Sequence, residues 1–371
     1  MATELLNASR MNRGTLPPGA DADHFISARH AGLWHIDSAV AESVIGLPAD
    51  ASGQQGEFLV LQSTTGMQMF FPYGCDGASC GYVRKLLDAV TDEWSEWSPW
   101  EPTSGDDFTA VAQHEIRRAQ FTSSMGGPIS TGGRAAVALR CDHGCTGFAA
   151  KVLPAVRARG IKVAQAYNPR NWHRAENEGV TADDLNGWVA AGDVEIINHS
   201  ANHLPADTQA ALFDQIVNGL AEIEAEVPAA AGTVWGFAPP GVSSGNYGGF
   251  NDGRTPKRWG TYAGRLILQH HAIGFGYLAG TSQRVIDGTP RDGQGHVTMN
   301  RQSVAGLKAS IDQAITNRTG LQLMLHPSQL DATGNLSTAQ FLEVLDYIAA
   351  MRDAGLLVTL SPYEMLLADS T

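Results

Sequence analysis

The sequence is short of charge, of cysteine and of any long apolar run. Charged residues make up only 17% of its 371 positions, while hydrophobic residues reach 43%. That balance supplies enough apolar surface to offset the entropy of ordering a chain, which excludes wholesale disorder. No run of Lys and Arg is present: 25 basic residues stand against 38 acidic ones, a formal net charge of −13. Such a balance repels a phosphate backbone and argues against nucleic acid as a partner. No stretch approaches the roughly 20 apolar residues that span a bilayer. Residues 1–19 lack the basic-then-apolar order of a secretory signal, so neither export by that route nor membrane insertion is expected. Four cysteines in so long a chain cannot make a disulfide framework, although Cys75 and Cys80 share a Gly-rich loop suited to one small ring. The length exceeds the roughly 100–200 residues of one ordinary domain, so two units are expected.

The two halves differ in texture. Across the first hundred residues, Gly, Pro, Ser and Asp punctuate short β-type runs at 24–27, 32–36, 57–62, 67–71 and 81–85, the spacing of a small all-β module built from hairpins. From 135 onward the rhythm becomes a strand followed by an amphipathic helix. Short apolar runs at 135–139, 161–167, 194–197, 233–237, 273–277, 321–325 and 356–360 read as buried parallel strands. Helical spacing fills 147–159, 181–191, 207–226, 255–271, 303–317 and 337–353, several of these opening on a Ser, Thr or Asp cap. About seven strand-helix units predict an α/β fold closed into a barrel. A polar helix at 111–119 and a Gly-rich stretch at 126–133 separate the halves. The expected organisation is an attachment segment 1–22, an all-β module 23–101, a linker 102–133 and a (β/α) barrel 134–371.

Chemistry concentrates at the strand ends. His199 and His203 stand four residues apart just after the strand ending at Ile197, and on a helical turn two such imidazoles face the same way within reach of one ion. Asp142 and His143 follow another strand, and His326 closes a third. In an α/β barrel the C-terminal strand ends open on one face, so these residues are expected to converge.

The residues around these positions resemble the motifs of the polysaccharide deacetylases, a carbohydrate esterase family. Val137-Ala-Leu-Arg-Cys-Asp-His-Gly144 resembles the family's first motif, an apolar strand followed by Thr-Phe-Asp-Asp-Gly. His199-Ser-Ala-Asn-His203 matches the His-Ser/Thr-x-x-His motif in full. Gly236-Phe-Ala-Pro-Pro-Gly241 stands where an Arg-x-Pro-Tyr motif follows a strand, and Leu323-Met-Leu-His326 matches a strand ending Leu-x-Leu-His. The order of the four is the family's, over some 230 residues. The resemblance implies a distorted (β/α) barrel and a divalent metal, zinc foremost, held by His143, His199 and His203. Asp142 would take a proton from water, a backbone N–H at Gly241 just after Pro240 would receive the oxyanion, and His326 would protonate the departing nitrogen or oxygen. Arg140, Pro240, Tyr247 and Leu323 flank the motifs as candidate substrate contacts.

Two departures from the family stand out. His143 takes the place of the second Asp, normally a metal ligand, and Ala238 takes the place of the Arg that orients the catalytic Asp. Imidazole remains a good zinc ligand, and Arg140 is the alternative source of a guanidinium. A one-residue exchange of roles, with Asp142 as ligand and His143 a bystander, stays open. So does thiolate ligation from Cys141 or Cys145. The family tunes its last-motif His with an Asp, for which Asp287 and Asp292 are the candidates.

Other residues carry blander readings. Trp94, Trp97 and Trp100 are candidates for stacking on sugar, but neighbours on a strand face opposite sides, so at least one belongs to packing. The glycines of 241–253, around Tyr247 and Phe250, read as a mobile rim, and with no Gly-Lys-Ser/Thr following they do not form a phosphate cradle. His270 and His271 end a helix, where a structural role is expected.

Residues 23–101 resemble the knob modules of bacteriophage tail proteins and pyocin-like particles, through Gly32-Leu-Trp-His-Ile36, the Leu47-Pro48 turn, Phe58-Leu-Val-Leu-Gln62, Met67-Gln-Met69, Gly81-Tyr-Val-Arg84 and Trp94-Ser-Glu-Trp97. This resemblance implies a homotrimeric virion protein, a phage tail or receptor-binding protein that meets other tail proteins and an acetylated bacterial surface glycan. Three functional readings follow: a metal-dependent deacetylase of a cell-envelope or capsular glycan carried on a phage tail, a catalytically inactive deacetylase fold that only recognises glycan, or a cellular wall-editing enzyme with an added β module.

Overall fold

The computed structural model describes residues 12–22, 32–49, 54–61, 67–72, 82–88, 93–99, 107–241, 247–248, 250, 261–276, 282–288 and 293–371. Cys75, Cys80, Trp100 and Asp292 lie outside them, as does the side chain of Trp94. The chain forms two compact units, Met1–Gln120 and Phe121–Thr371. The division falls within the helix Asp107–Ser124, twice as long as the polar segment at 111–119 suggests.

The first unit is a sheet of β1 (Asn12–Thr15), β2 (Gly32–Ile36), β3 (Gly56–Leu61), β4 (Met67–Pro72), β5 (Tyr82–Asp88), β6 (Glu93–Trp94) and β7 (Ser98–Pro99). Strands β2 to β5 form an antiparallel meander. Alternation along β3 and β4 turns Phe58, Val60 and Phe70 into one small core with Leu16, Ile36 and Val40. Trp97 packs at the edge of that core, donates its indole N–H to the Gly46 carbonyl at 2.8 Å and lies under the Arg84 guanidinium at 4.5 Å. Its ring is engaged in packing and in a cation–π contact.

In the second unit the strands are β8 (Ile129–Ser130), β9 (Ala135–Asp142), β10 (Val163–Tyr167), β11 (Val194–Asn198), β12 (Gly236–Phe237), β13 (Ile273–Phe275), β14 (Gln283–Val285), β15 (Gly293–Gln294), β16 (Val297–Thr298), β17 (Thr319–Leu325), β18 (Leu357–Thr359) and β19 (Ala368–Asp369). A parallel ladder runs β17-β9-β10-β11-β12-β13-β15. Strand β16, just past β15, pairs in parallel with the far side of β17. Residues 293–298 therefore close the ring as its seventh strand, and the fold is a distorted (β/α) barrel. The run at 356–360 does not hold the seventh place that its apolar character suggests. As β18 it pairs only with the first residues of β9.

Strand alternation explains what lines the barrel. On β9, Val137, Leu139 and Cys141 pack outward against Phe148 and Leu153 and against Leu307, Ile311, Phe341 and Val344 of the surrounding helices. Ala136 and Ala138 face the other way, with Ile286, Leu360 and Met365. Arg140 and Asp142 continue this inward row by the two-residue period. Because both faces are covered, the strands are apolar almost throughout. The helices start where their caps sit: Thr181 and Ser337 each close a capping box, with Asp184 and Gln340, and Ser303 caps Val304–Asn317.

Candidate metal centre

The C-terminal ends of β9, β11 and β17 bring His143, His199, His203 and His326 together. Ring centroids of His143 lie 5.9 Å from His199, 5.2 Å from His203 and 5.0 Å from His326, and those of His199 and His203 are 4.9 Å apart. One ligating nitrogen from each of His143, His199 and His203 falls within 4.8 Å of the other two. A shared ion with nitrogen ligands at roughly 2.0–2.1 Å would draw these nitrogens somewhat closer together than they stand. Among the described residues this is the one group of its kind, and neither Cys141 nor Cys145 joins it; both are free and buried.

The His-x-x-x-His segment is not the helical turn its spacing suggests. Ser200 and His203 both take left-handed backbone, with φ of 70° and 60°, and His143 does the same at 40°. Only five non-glycine residues do so among those described, and three of them are here. Backbone strain of this kind costs on the order of 1–3 kcal/mol per residue and survives only where neighbours over-determine it. Those neighbours are visible. Asn198 accepts from the Ser200 N–H at 2.9 Å and donates to the Ile216 carbonyl at 2.9 Å. The Ser200 hydroxyl accepts the His203 N–H at 3.1 Å, and Asn168 donates to the Ser200 carbonyl at 2.9 Å. The backbone of His143 is fixed by β10, its N–H on the Ala166 carbonyl at 3.0 Å and its carbonyl taking the Gln165 amide at 3.0 Å. Gly144 follows in the same conformation, and a Cβ there would meet the Ser328 nitrogen at 2.8 Å. The loop after His326 is thus packed onto the end of β9.

Ring orientation follows from the second hydrogen bond each imidazole makes. His199 Nδ1 lies 2.8 Å from the Ala238 carbonyl, which requires it to be the protonated nitrogen and leaves Nε2 a lone pair. That Nε2 is buried and has no partner. A buried acceptor left so is costly, and a metal ion would satisfy it. His326 Nδ1 stands 2.9 Å from Asn300 Oδ1, and Asn300 also accepts the His326 N–H at 3.0 Å. Asn300 therefore holds the place expected of an Asp. Asp287 pairs its backbone with Asp369 in an isolated bridge.

Arg140 and Asp142 form a buried ion pair, at 2% and 4% exposure. Arg140 Nη2 donates to Asp142 Oδ2 at 2.9 Å, and Nε stands 2.7 Å from Oδ1. Burial alone would raise the Asp142 carboxyl, but Arg140 first and then His199, His326 and His296 overcome it and hold the group well below the ordinary carboxylate range. Arg140 thus faces Asp142 with two of its nitrogens. Two of the expected contacts lie in packed surroundings. Leu323 is fully buried among the helices outside β17, and Tyr247 is fully buried with Phe237 and Phe250, so it forms wall and not rim. Pro240 is buried and Gly241 exposed, directly beyond β12. His271 is buried, 3.1 Å from Asn198 through Nε2, a support for the His199 loop. Glu176, Asn300 and His296 carry no spacing signature, and none is foreseen from the sequence.

Burial disfavours the charged form of four imidazoles, His199, His203, His296 and His326. It pushes His203 down to about 4 and His296 to about 3, and it lowers His199 and His326 as well. Unfolding returns each to its ordinary value near 6.5, so between about pH 6.5 and 4 the unfolded chain binds more protons than the folded one. Stability is then lost as pH falls through that window, and Asp142, lowered in the folded state, adds to the loss further down. Denaturant titration of the chelator-treated protein at several pH values is expected to show the midpoint falling on acidification below pH 6.5. A flat profile would contradict the burial of these rings.

No protein-family model matches the sequence, and no curated protein matches it either. Among solved structures the chain is similar to a CE4 family pseudoenzyme of Bacillus anthracis, at 16% identity and TM-score 0.37, covering 63% of this chain and 66% of that one. It is also similar to a family 4 acetyl xylan esterase of Clostridium thermocellum solved with a cobalt ion, at 18% identity and TM-score 0.40, covering 62% and 89%. A family 4 carbohydrate esterase of Streptomyces lividans in complex with acetate matches at 17% and 0.34, covering 60% and 90%. At these values the similarity leaves the function to be argued from the site.

Proposed function

We propose that the protein is a metal-dependent deacetylase of an acetylated bacterial glycan. The observation that carries this reading is the orphaned Nε2 of His199, aimed into a cluster of three imidazoles beside the Arg140–Asp142 pair and His326. A divalent ion, zinc foremost, on His143, His199 and His203 would supply Lewis acidity toward an acetyl carbonyl and its attacking water. Asp142, kept ionised by Arg140, accepts the proton of that water as its oxygen bonds to the carbonyl carbon. His326, whose Nδ1–H is held by Asn300, presents Nε2, which takes up a proton equivalent to the one Asp142 removes from water and delivers it to the departing nitrogen or oxygen as the bond to the acetyl carbon breaks. The backbone N–H of Gly241, an exposed residue, is the proposed oxyanion donor. Arg140 thereby does from β9 what an arginine at position 238 does in the family that the motifs resemble.

The β-sheet unit and its resemblance to tail knobs support carriage on a phage tail, as a homotrimer that meets a cell-envelope or capsular glycan. A second reading, a fold that binds glycan without cleaving it, is favoured by Asn300. A neutral amide stabilises the protonated imidazole less than a carboxylate does, which weakens His326 as an acid. Acetate release from N-acetylated and O-acetylated glycans by the zinc-loaded protein separates the two. Release that is lost in Asp142→Ala supports the enzyme, and zinc-loaded protein that binds glycan but releases nothing supports the binder. Detection of the protein in purified virions tests the tail assignment.

A further inference from the structure

We propose that Glu176 is the positioning residue that makes His143 a metal ligand, fixing its tautomer and supplying the negative charge that the imidazole itself does not bring to the site. His143 Nδ1 stands 3.1 Å from Glu176 Oε2. A carboxylate offers only acceptors, so the shared hydrogen belongs to Nδ1 and the lone pair to Nε2. That assigns Nε2 as the nitrogen turned to His199 and His203. A carboxylate behind a ligating imidazole both aims the ring and raises its basicity, and losing it typically costs about 10- to 100-fold in metal affinity.

Glu176 is itself well held. It lies in the short turn Ala175–Asn177, and a side-chain hydrogen bond from Ser328 reaches it from the loop after His326. The next residue, Asn177, accepts the Cys145 N–H at 2.9 Å and donates to the Asn171 carbonyl at 2.9 Å. The turn is thereby tied to the end of β9, with His143 between. The pair is part-buried, His143 and Glu176 showing 16% and 23% of their side chains to solvent, so the interaction is only partly screened. His199 is aimed differently, by the uncharged Ala238 carbonyl. Glu176 is thus the carboxylate that stands behind this ligand set.

The inference rests on reading the three imidazoles as a metal centre, and the test separates the two. Zinc and cobalt affinities of the full-length wild type, Glu176→Gln and Glu176→Ala are measured by competition with a chromophoric chelator. The His143 tautomer is read from nitrogen-15 correlation spectra of the metal-free proteins. Affinity is expected to fall about 10- to 100-fold in Glu176→Ala and by less in Glu176→Gln, whose amide oxygen still accepts from Nδ1. His143 is expected to be Nδ1-protonated in the wild type and a tautomeric mixture in Glu176→Ala. A purely structural role moves neither reading in the isosteric Gln variant. Variant affinities equal to wild type, or an unchanged Nδ1–H signal in Glu176→Ala, overturn the role of Glu176 while the metal centre stands. A wild type that binds neither metal overturns both.

Discussion

Replacing His199 by alanine is expected to strip the protein of metal and to lower acetate release by about a thousandfold. The magnitude follows from the several kcal/mol that a Lewis acid contributes to transition-state charge, roughly 1.4 kcal/mol per factor of ten. His199 is chosen because, of the three clustered imidazoles, it is the one whose Nε2 is a buried atom without a hydrogen-bond partner. The substitution also leaves the Ala238 carbonyl without its donor, a loss of about 1–3 kcal/mol that a domain of this size tolerates. His326→Ala provides the contrast, since His326 is not one of the three clustered ligands. It is expected to keep stoichiometric zinc while losing roughly 10²–10⁴ in rate, the usual worth of a general acid. Metal analysis beside the acetate assay distinguishes the two patterns. Full zinc occupancy in His199→Ala would remove the metal centre from this account.

What the sequence makes legible, and what it hides, divides along physical lines. Strands β9, β10, β11 and β17 are buried on both faces, so their apolar runs are visible without knowing their neighbours, and the residues just past them fall at one mouth by topology alone. Strands β15 and β16 are two residues each, Gly293–Gln294 and Val297–Thr298. They carry no apolar run because they are held by pairing to β13 and β17, and the strand that closes the barrel is therefore invisible beforehand. Inward and outward faces are equally hidden. Leu323 sits three residues before His326 yet points to the helices, since an odd offset along a strand reverses the face. Tyr247 sits among glycines, which suggests an open rim, but its neighbours Phe237 and Phe250 enclose it. The second partners of the imidazoles are the least legible of all. Glu176, Ala238 and Asn300 act through one atom each from three separate turns, and a single hydrogen bond imposes no periodicity on a sequence.

Arg140→Met tests the other half of the site and is expected to cost stability as well as rate. Removing one partner of a buried ion pair leaves an uncompensated charge and costs about 3–5 kcal/mol. Here the abandoned group is Asp142, 4% exposed. Without the guanidinium, burial raises its carboxyl instead of being overcome, so the folded variant holds a proton that the unfolded chain releases. The sign of the pH dependence is then opposite to that of the wild type: this contribution destabilises as pH rises and fades below the ordinary carboxylate range. The deficit against wild type, read from urea midpoints, is expected to be largest near pH 8 and to shrink toward pH 4. Acetate release should fall by roughly 10²–10⁴ as Asp142 loses the ionised state in which it accepts a proton. Arg140→Met combined with Asp142→Leu removes both charges from the barrel, and it is expected to regain stability relative to the single variant while regaining no activity. A single variant as stable as wild type at pH 8 would mean that Arg140 does not hold Asp142 as an anion, and the base of the proposed reaction would have to be sought among the imidazoles.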